Sequence, residues 1–169
     1  MAILKLDDKQ LLATDLITVK KYHPEVIEYY ILFCDKLGFV PFSGGTYEKQ
    51  GQPVLYGCIT SAYRANDNGA HGTGGAIDIH VGQRGDVKKQ YECVKTAIDC
   101  GFSRGGIYTT KTIIHVDIMD AEWQKKNLGT PFWFQRKNAH GKDYYTGVKT
   151  IAELEKLLLL QDSRQEEIK

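Results

Sequence analysis

The sequence lacks a long apolar run and lacks a strong excess of charge of either sign. Its most apolar stretch, LEKLLLLQ near the C-terminus, contains charged residues and is too short to cross a bilayer. The formal net charge is +1, so we expect no overall electrostatic attraction to nucleic acid or to an anionic membrane. We therefore predict no nucleic-acid partner and no membrane partner, and we take the chain to be a monomer.

The N-terminal segment MAILKLDDKQLLATD lacks the basic, apolar and small-residue regions of a secretory signal. We therefore expect a protein made in the cytoplasm without a signal peptide. Internal repeats and low-complexity tracts are also missing. A length of 169 residues fits one domain, in which residues 1–150 form the body and residues 151–169 form a C-terminal helix packed on it, with a tail, SRQEEIK, that frays.

Cysteine is scarce, and no two cysteines form a CxxC pair. This absence counts against a cysteine zinc knuckle and against the zinc deaminases that carry PCxxC. A chain of this size without a secretion signal needs no disulfide. We therefore predict reduced, mostly buried thiols at the four positions, which are Cys34, Cys58, Cys93 and Cys100.

The spacing of apolar residues predicts three helices. The first begins at Pro24 and stops near Gly38, and the second spans roughly Asp86 to Cys100. The third begins at Thr150, where Glu153 completes a capping box, and its leucines should pack on the body.

Two further segments, AIDIHV and TIIHVDIM, alternate apolar and polar residues like half-buried strands. We interpret the segment from Ala121 to Tyr145 as irregular. Its aromatic cluster could line a substrate groove, but aromatic clusters more often form a core, so we assign it to packing. The cluster consists of Trp123, Phe132, Trp133 and Phe134. Together these elements predict an α+β fold, in which a small, mostly antiparallel sheet is covered on its back by helices.

The polar side of the two predicted strands carries candidate metal ligands. Because residues two apart on a strand share a face, Asp78 points the same way as His80, and His115 the same way as Asp117. His71 precedes Asp78 on a glycine-rich loop that can bend towards the strand. Two neutral imidazoles and a carboxylate suit one catalytic zinc ion, so we predict a single Zn²⁺ bound by His71, Asp78 and His115.

These residues resemble the zinc D-alanyl-D-alanine carboxypeptidases and L-alanyl-D-glutamate endopeptidases of cell-wall metabolism, which are relatives of the hedgehog signalling domain. The similarity rests on two motifs, HxxGxAxD and HxD, whose residues here are His71, Gly74, Ala76, Asp78, His115 and Asp117. Upstream, ITSAYRA is similar to the family's serine-glycine-tyrosine-arginine stretch and has Arg64 in the arginine position. The resemblance covers roughly residues 59–119.

The resemblance implies that His71, Asp78 and His115 bind zinc. It also implies that Arg64 approaches the substrate carboxylate or carbonyl oxygen and that Asp117 holds an imidazole or orients the attacking water. The implied activity is a zinc metallopeptidase of the D,D-carboxypeptidase or L-alanyl-D-glutamate endopeptidase type, occupying residues 1–150. Its partner is then the stem peptide of peptidoglycan. Without a secretion signal, such a chain suits a phage endolysin or a virion-associated hydrolase acting on the cell wall.

The sequence departs from the family at two positions. Gly69 replaces a frequent serine, and Thr112 stands where many members carry an acidic general base, three residues before the last zinc histidine. A threonine cannot usefully accept a proton at neutral pH. The base is therefore open among Asp117, His80, Asp120 and Glu122, and we assign catalytic roles to Arg64, Asp117 and His80.

Thr112 also supports an alternative of another class, a catalytically inactive zinc-containing binding or virion structural module on the same scaffold. A third alternative is a zinc peptidase that acts on some other short peptide.

Overall fold

The computed structural model describes residues 22–39, 41, 56–61, 64, 66–127 and 129–166. The helices in this part of the chain are α1 (Pro24–Leu37), α2 (Val87–Cys100), α3 (Ala121–Lys126) and α4 (Ile151–Glu166). A 3₁₀ turn covers Ala70–Thr73. The strands are β1 (Ile59–Ser61), β2 (Ala76–His80), β3 (Arg104–Tyr108), β4 (Ile113–Asp117), β5 (Phe132–Lys137) and β6 (Asp143–Val148).

The six strands form one sheet in the order β1-β2-β4-β3-β5-β6. Every neighbouring pair is antiparallel except β3 and β5, which are parallel. At the centre, β2 pairs with β4 so that Asp78 lies opposite His115 and Ala76 lies opposite Asp117. The predicted α+β fold with a mostly antiparallel sheet is confirmed, and the two polar rows lie on one face of the sheet.

The hydrophobic core lies on the opposite face of the sheet. Ile77 and Ile79 of β2 and Ile114 and Val116 of β4 are fully buried there. Helix α2 contacts β3 and β4, α4 contacts β5 and β6, and α1 packs against α2. Burial of each such side chain contributes about 1.5–3 kcal/mol. The helices therefore cover the back of the sheet, as the sequence predicts, and leave the polar face for the candidate site.

The helix ends follow local signals in the sequence. Gly38 ends α1 in a left-handed conformation with φ 68°. Asp86 caps α2 by accepting a hydrogen bond from the backbone N–H of Lys89 at 3.1 Å. Before α4, Glu153 N–H donates to Thr150 Oγ1 at 3.2 Å, and Thr150 N–H donates to Glu153 Oε2 at 3.1 Å. The predicted capping box is confirmed.

The expectation of half-buried strands is wrong for β2 and β4. Every residue of both strands is buried. The polar face is covered because the 3₁₀ turn packs on β2 and because the Trp133 ring lies 5.1 Å from the His115 ring, measured between centroids. Alternation of residue type identifies the two faces but does not report what covers each of them.

The segment from Ala121 to Tyr145 is not irregular, because it contains α3, β5 and the start of β6. Alternation along β5 divides the aromatic cluster between the two faces of the sheet. Phe132 and Phe134 belong to the core, which confirms packing for these two rings. Trp123 and Trp133 are only partly buried. They lie near Arg104 on the polar face.

Helix α4 continues to Glu166, past the predicted start of the frayed tail, and residues 167–169 lie outside the described part of the chain. The N-terminal segment on which the signal-peptide prediction rests also lies outside the described residues. Among the described residues, no helix combines the length and apolar character required to cross a membrane.

Candidate metal centre

Three different elements deliver the predicted ligands to one place. Strand β2 carries Asp78, strand β4 carries His115, and the 3₁₀ turn carries His71. All three side chains are buried, and each offers a ligand atom within 4.8 Å of the other two. The ligand set proposed from the sequence is therefore brought together by the fold.

Two glycines make the turn that carries His71 possible. Gly74 closes the turn with φ 77°, a backbone conformation that residues with a side chain rarely adopt. A Cβ atom on Gly72 would lie 1.8 Å from the backbone oxygen of Asp67, so no larger residue fits there. The Asp67 side chain also fixes the loop by accepting a hydrogen bond from Gly69 N–H at 2.6 Å. Close packing of the loop on itself thus directs His71 towards the sheet.

The ligand atoms form a nearly equilateral triangle. Asp78 Oδ1 lies 3.0 Å from His115 Nδ1 and 3.3 Å from His71 Nε2, and the two nitrogens are 3.1 Å apart. In tetrahedral zinc sites with bonds of about 2.0–2.2 Å, neighbouring ligand atoms are separated by about 3.3–3.6 Å. The sides of the observed triangle, 3.0–3.3 Å, are slightly shorter than the edges of such a tetrahedron but close enough for one ion to contact all three atoms.

Hydrogen bonding alone satisfies this triangle poorly. The carboxylate oxygen of Asp78 only accepts, and each ring nitrogen carries at most one proton, which points in a single direction. Consequently the contacts between His71, Asp78 and His115 cannot all be linear hydrogen bonds with neutral rings. One divalent cation bonded to all three atoms would replace these competing contacts, which is why the donor set fits a metal better than a proton network.

The second ring nitrogen of His115 has its own partner. His115 Nε2 lies 2.9 Å from Asp117 Oδ2, while Asp117 Oδ1 accepts a hydrogen bond from Met119 N–H at 3.0 Å. A proton on Nε2 donated to Asp117 leaves the lone pair of Nδ1 directed towards Asp78 and His71. Such carboxylate–histidine contacts commonly fix the tautomer of metal ligands. The orienting role predicted for Asp117 thus has a geometric basis.

The charges of the cluster shift the pKa values of its members. Burial lowers the pKa of His115, but hydrogen bonds to Asp117 and Asp78 outweigh it and raise that pKa to about 9. Burial raises the pKa of Asp78, but hydrogen bonds from His115 and His71 outweigh it and hold that pKa well below its usual range. In the absence of a metal, a proton on His115 therefore stabilises the cluster.

Arg64 lies at the outer edge of the cluster. Its Nη2 donates to Asp78 Oδ2 at 3.1 Å, and its Nη1 lies 3.5 Å from Asp67 Oδ2. Asp78 thus directs one oxygen to the histidines and the other to Arg64. The arginine side chain is 49% exposed, and it lines a wide, open cavity of about 530 Å³ together with Asn66, Asp67 and Asn68. The Arg64 guanidinium is therefore accessible from solvent beside the candidate metal centre.

The structure does not bring His80 into this cluster. Its ring lies 5.5 Å from the Tyr56 ring, and burial together with the charge of Lys89 lowers its pKa. Of the other candidate bases, Asp120 caps α3 by accepting from Trp123 N–H at 2.8 Å, and Glu122 is exposed on the same helix.

Two residues beside the site were given no role in it by the sequence analysis, which did not single out Arg104 and assigned Trp133 to packing. Arg104, on β3, is 7% exposed and lies 3.4 Å from Asp117 through its Nη1. Trp133, on β5, packs its ring against His115, and a Cβ atom on Gly106 would lie 2.1 Å from that indole. No local signal in the sequence identifies Arg104, because its place opposite Asp117 depends on the register between β3 and β4.

Comparison of the chain with models of protein families gave no match, and comparisons with curated proteins and with solved structures gave none either. The function must therefore be argued from the site itself and from the motifs that carry the resemblance.

Proposed function

We propose that this chain is a zinc-dependent peptidase that hydrolyses an amide bond in the stem peptide of peptidoglycan. The observation that carries the proposal is the buried triangle of His71 Nε2, Asp78 Oδ1 and His115 Nδ1, with sides of 3.0–3.3 Å. Three protein ligands of this kind leave a coordination position for water or substrate, as catalytic zinc requires. The substrate class follows from the resemblance of the two motifs to cell-wall peptidases.

When bound, zinc supplies Lewis acidity, which polarises an amide carbonyl and makes water a usable nucleophile near neutral pH. The residues of the chain hold and orient the reacting groups. Arg64 is half exposed beside Asp78, where its planar guanidinium can pair with a substrate carboxylate or stabilise charge on a carbonyl oxygen. Asp117 holds the His115 imidazole in place, and its full burial and engaged oxygens suit orientation better than proton abstraction.

The setting that we propose is a bacteriophage endolysin or a virion-associated wall hydrolase. The resemblance of the two motifs to cell-wall peptidases supports this setting. The cavity lined by Arg64, Asn66, Asp67 and Asn68 is polar, which is compatible with a peptide that carries carboxylates and amides.

The decisive experiment digests purified peptidoglycan with the wild-type protein and identifies the released muropeptides by mass spectrometry, with and without a chelator. We expect a chelator-sensitive product with one cleaved amide bond, restored by added zinc. The variant His71→Ala should release no muropeptide and should contain no zinc. The variant His140→Ala removes an exposed histidine of a turn and should keep both muropeptide release and zinc content. Zinc content unchanged in His71→Ala would refute the ligand assignment.

A second candidate is the catalytically inactive zinc-containing module. It is favoured by Thr112, which stands where many members of the resembled family carry an acidic residue. The Thr112 Oγ1 atom is buried and makes no hydrogen bond within the described part of the chain. A wild-type protein that binds zinc stoichiometrically but releases no muropeptide would support this module. Cleavage of a panel of short peptides, followed by mass spectrometry, tests the third alternative, a zinc peptidase that acts on some other short peptide.

A further inference from the structure

Arg104 is a charged residue buried beside the candidate metal centre. Its side chain is 8% exposed, and its Cζ lies 4.9 Å from the Trp123 ring and 5.2 Å from the Trp133 ring. Its Nε donates to the backbone oxygen of Thr130 at 3.2 Å. Because burying a guanidinium costs several kcal/mol, its position calls for compensation by an opposite charge.

Asp117 supplies that opposite charge. Arg104 and Asp117 are direct partners in the antiparallel pairing of β3 with β4, so their side chains share the polar face. Nη1 of Arg104 lies 3.4 Å from Asp117 Oδ2, a residue with no solvent exposure. That nitrogen makes no hydrogen bond within the described residues, so the contact is an ion pair held by position.

The carboxylate of Asp117 is thereby fixed from three directions. Its Oδ2 faces both Arg104 and His115 Nε2, at 3.4 and 2.9 Å, and its Oδ1 accepts from Met119 N–H. The Asp117 carboxylate keeps its contacts with Arg104, His115 and Met119 together in one orientation only. In that orientation, Nε2 of His115 is the donor and Nδ1 is left to bind a metal.

We propose that Arg104 is a positioning residue for the metal centre and that it acts through Asp117 on the tautomer and orientation of His115. This inference rests on the zinc site of the proposed function and extends it to a residue that touches no ligand atom of the triangle. Arg104 contributes no donor to the metal. Its guanidinium, which lies near two indole rings and donates to Thr130, keeps the Asp117 carboxylate facing His115.

A positioning role and a simple charge effect predict opposite changes in zinc affinity when Arg104 is replaced. Removing a positive charge near a cation site should strengthen cation binding if electrostatic repulsion were the only influence of Arg104. Removing a positioning residue should weaken binding, because His115 would no longer be held ready to coordinate. Loss of outer contacts of this kind typically costs about 10–100-fold in metal affinity.

The test measures zinc affinity of the full chain by competition with a chromophoric chelator, for Arg104→Met, Asp117→Asn and the double variant. We expect each single variant to bind zinc about tenfold or more weakly than wild type. The double variant should bind no more weakly than Asp117→Asn, because Arg104 acts through that carboxylate. Arg104→Lys, which keeps the charge but not the planar fork, should give an intermediate affinity.

Arg136→Met is the matched control. Arg136 also stacks on aromatic rings, at 5.2 Å from Phe134 and 5.0 Å from Tyr144, and its Nη2 donates to Thr146 Oγ1 at 2.7 Å. Its substitution should change stability without changing zinc affinity. Urea unfolding of the metal-free variants measures stability separately, and Arg104→Lys serves if Arg104→Met does not fold.

Three results would overturn the positioning role: tighter zinc binding by Arg104→Met, unchanged affinity with only lowered stability, or additive losses in the double variant. A wild-type protein that binds no zinc would overturn this role and the proposed function together. Zinc binding with the expected pattern but no muropeptide release would support the positioning role and overturn only the peptidase activity.

Discussion

His115 has a different partner at each of its ring nitrogens, and this asymmetry defines the site at the residue scale. Nδ1 faces Asp78 and His71, whereas Nε2 faces Asp117. A buried imidazole in such surroundings is restricted to one orientation, and the chain provides that orientation before any metal binds. Gly72 and Gly106 also shape the site, because a side chain at either position would collide with a neighbouring group, the Asp67 backbone oxygen or the Trp133 indole.

The first prediction at this scale concerns Gly72→Ala. The added Cβ would lie 1.8 Å from the Asp67 backbone oxygen, so the turn carrying His71 must shift. We expect the free energy of unfolding to fall by about 1–3 kcal/mol and zinc affinity to fall with it. Gly82→Ala is the control, because its Cβ would meet only the flexible Lys89 side chain, at 3.1 Å. Equal effects of the two variants would contradict this account of the loop.

The second prediction concerns the thiols, which are all free and buried, as the sequence predicts. Burial raises the pKa of Cys58 to about 11 and the pKa of Cys34 and Cys93 to about 12. Since only the thiolate reacts, a raised pKa means a smaller reactive fraction at any pH below it.

We therefore expect the folded protein to react negligibly with a disulfide reagent at pH 8, and to expose all four thiols in denaturant. The measurement is the rate of thiol labelling with and without urea. Rapid labelling of the folded protein would show that these side chains are not enclosed.

At the scale of elements, the pairing of β2 with β4 is the feature that matters most for the site. It sets Asp78 opposite His115 and fixes their separation through the backbone ladder. The helices on the other face hold this pair in place, because they cover Ile77, Ile79, Ile114 and Val116. The last helix, α4, takes part in this covering layer through its contacts with β5 and β6.

The third prediction tests the packing of α4. Leu154 is fully buried, whereas Leu159 on the same helix is 64% exposed. Leu154→Ala should lower the free energy of unfolding by about 2–5 kcal/mol because it leaves a cavity. Leu159→Ala should change it by less than about 0.5 kcal/mol. Urea unfolding of both variants measures the difference, and similar values would place α4 away from the core.

At the scale of the whole molecule, the candidate metal centre joins parts of the chain that are distant in sequence. One ion would connect the 3₁₀ turn to β2 and β4, and through Asp117 to β3. A ligand that binds the folded state alone stabilises it by mass action. Under the proposed function, zinc binding therefore raises the stability of the whole fold.

The fourth prediction follows from this coupling. At a free zinc concentration 100 times the dissociation constant, stability should rise by about 2.7 kcal/mol, which raises the melting temperature by roughly 5–10 °C. The pKa of His115 is raised to about 9 in the metal-free protein, so zinc must displace a proton at neutral pH. At a fixed zinc concentration, the zinc-induced rise in melting temperature should therefore grow as pH increases from 6 to 8, because the dissociation constant falls.

Scanning calorimetry at several pH values measures this shift, and a chelator should reverse it. His71→Ala should show no zinc-induced shift at any pH, whereas His140→Ala should behave like wild type. A shift that is independent of pH would contradict displacement of a proton from the cluster.

The sequence by itself determined the ends of α1 and α2, the start of α4 and the two polar rows. Capping residues, such as Thr150 with Glu153, act within one turn of chain, and alternation along β2 and β4 is a property of each strand alone. These local rules indicated the general α+β class, whereas His71, Asp78 and His115 were grouped by their chemistry as metal donors and by the resemblance of their motifs to a zinc peptidase family.

Only the tertiary structure decided what lies around that group. The parallel pairing of β3 with β5 brings Trp133 over Gly106, and the pairing of β3 with β4 sets Arg104 opposite Asp117. Neither contact can be read from local periodicity, because strand register and neighbour order depend on how distant segments pack against a shared core. The same reason explains why β2 and β4, half-buried by their pattern, are buried on both faces.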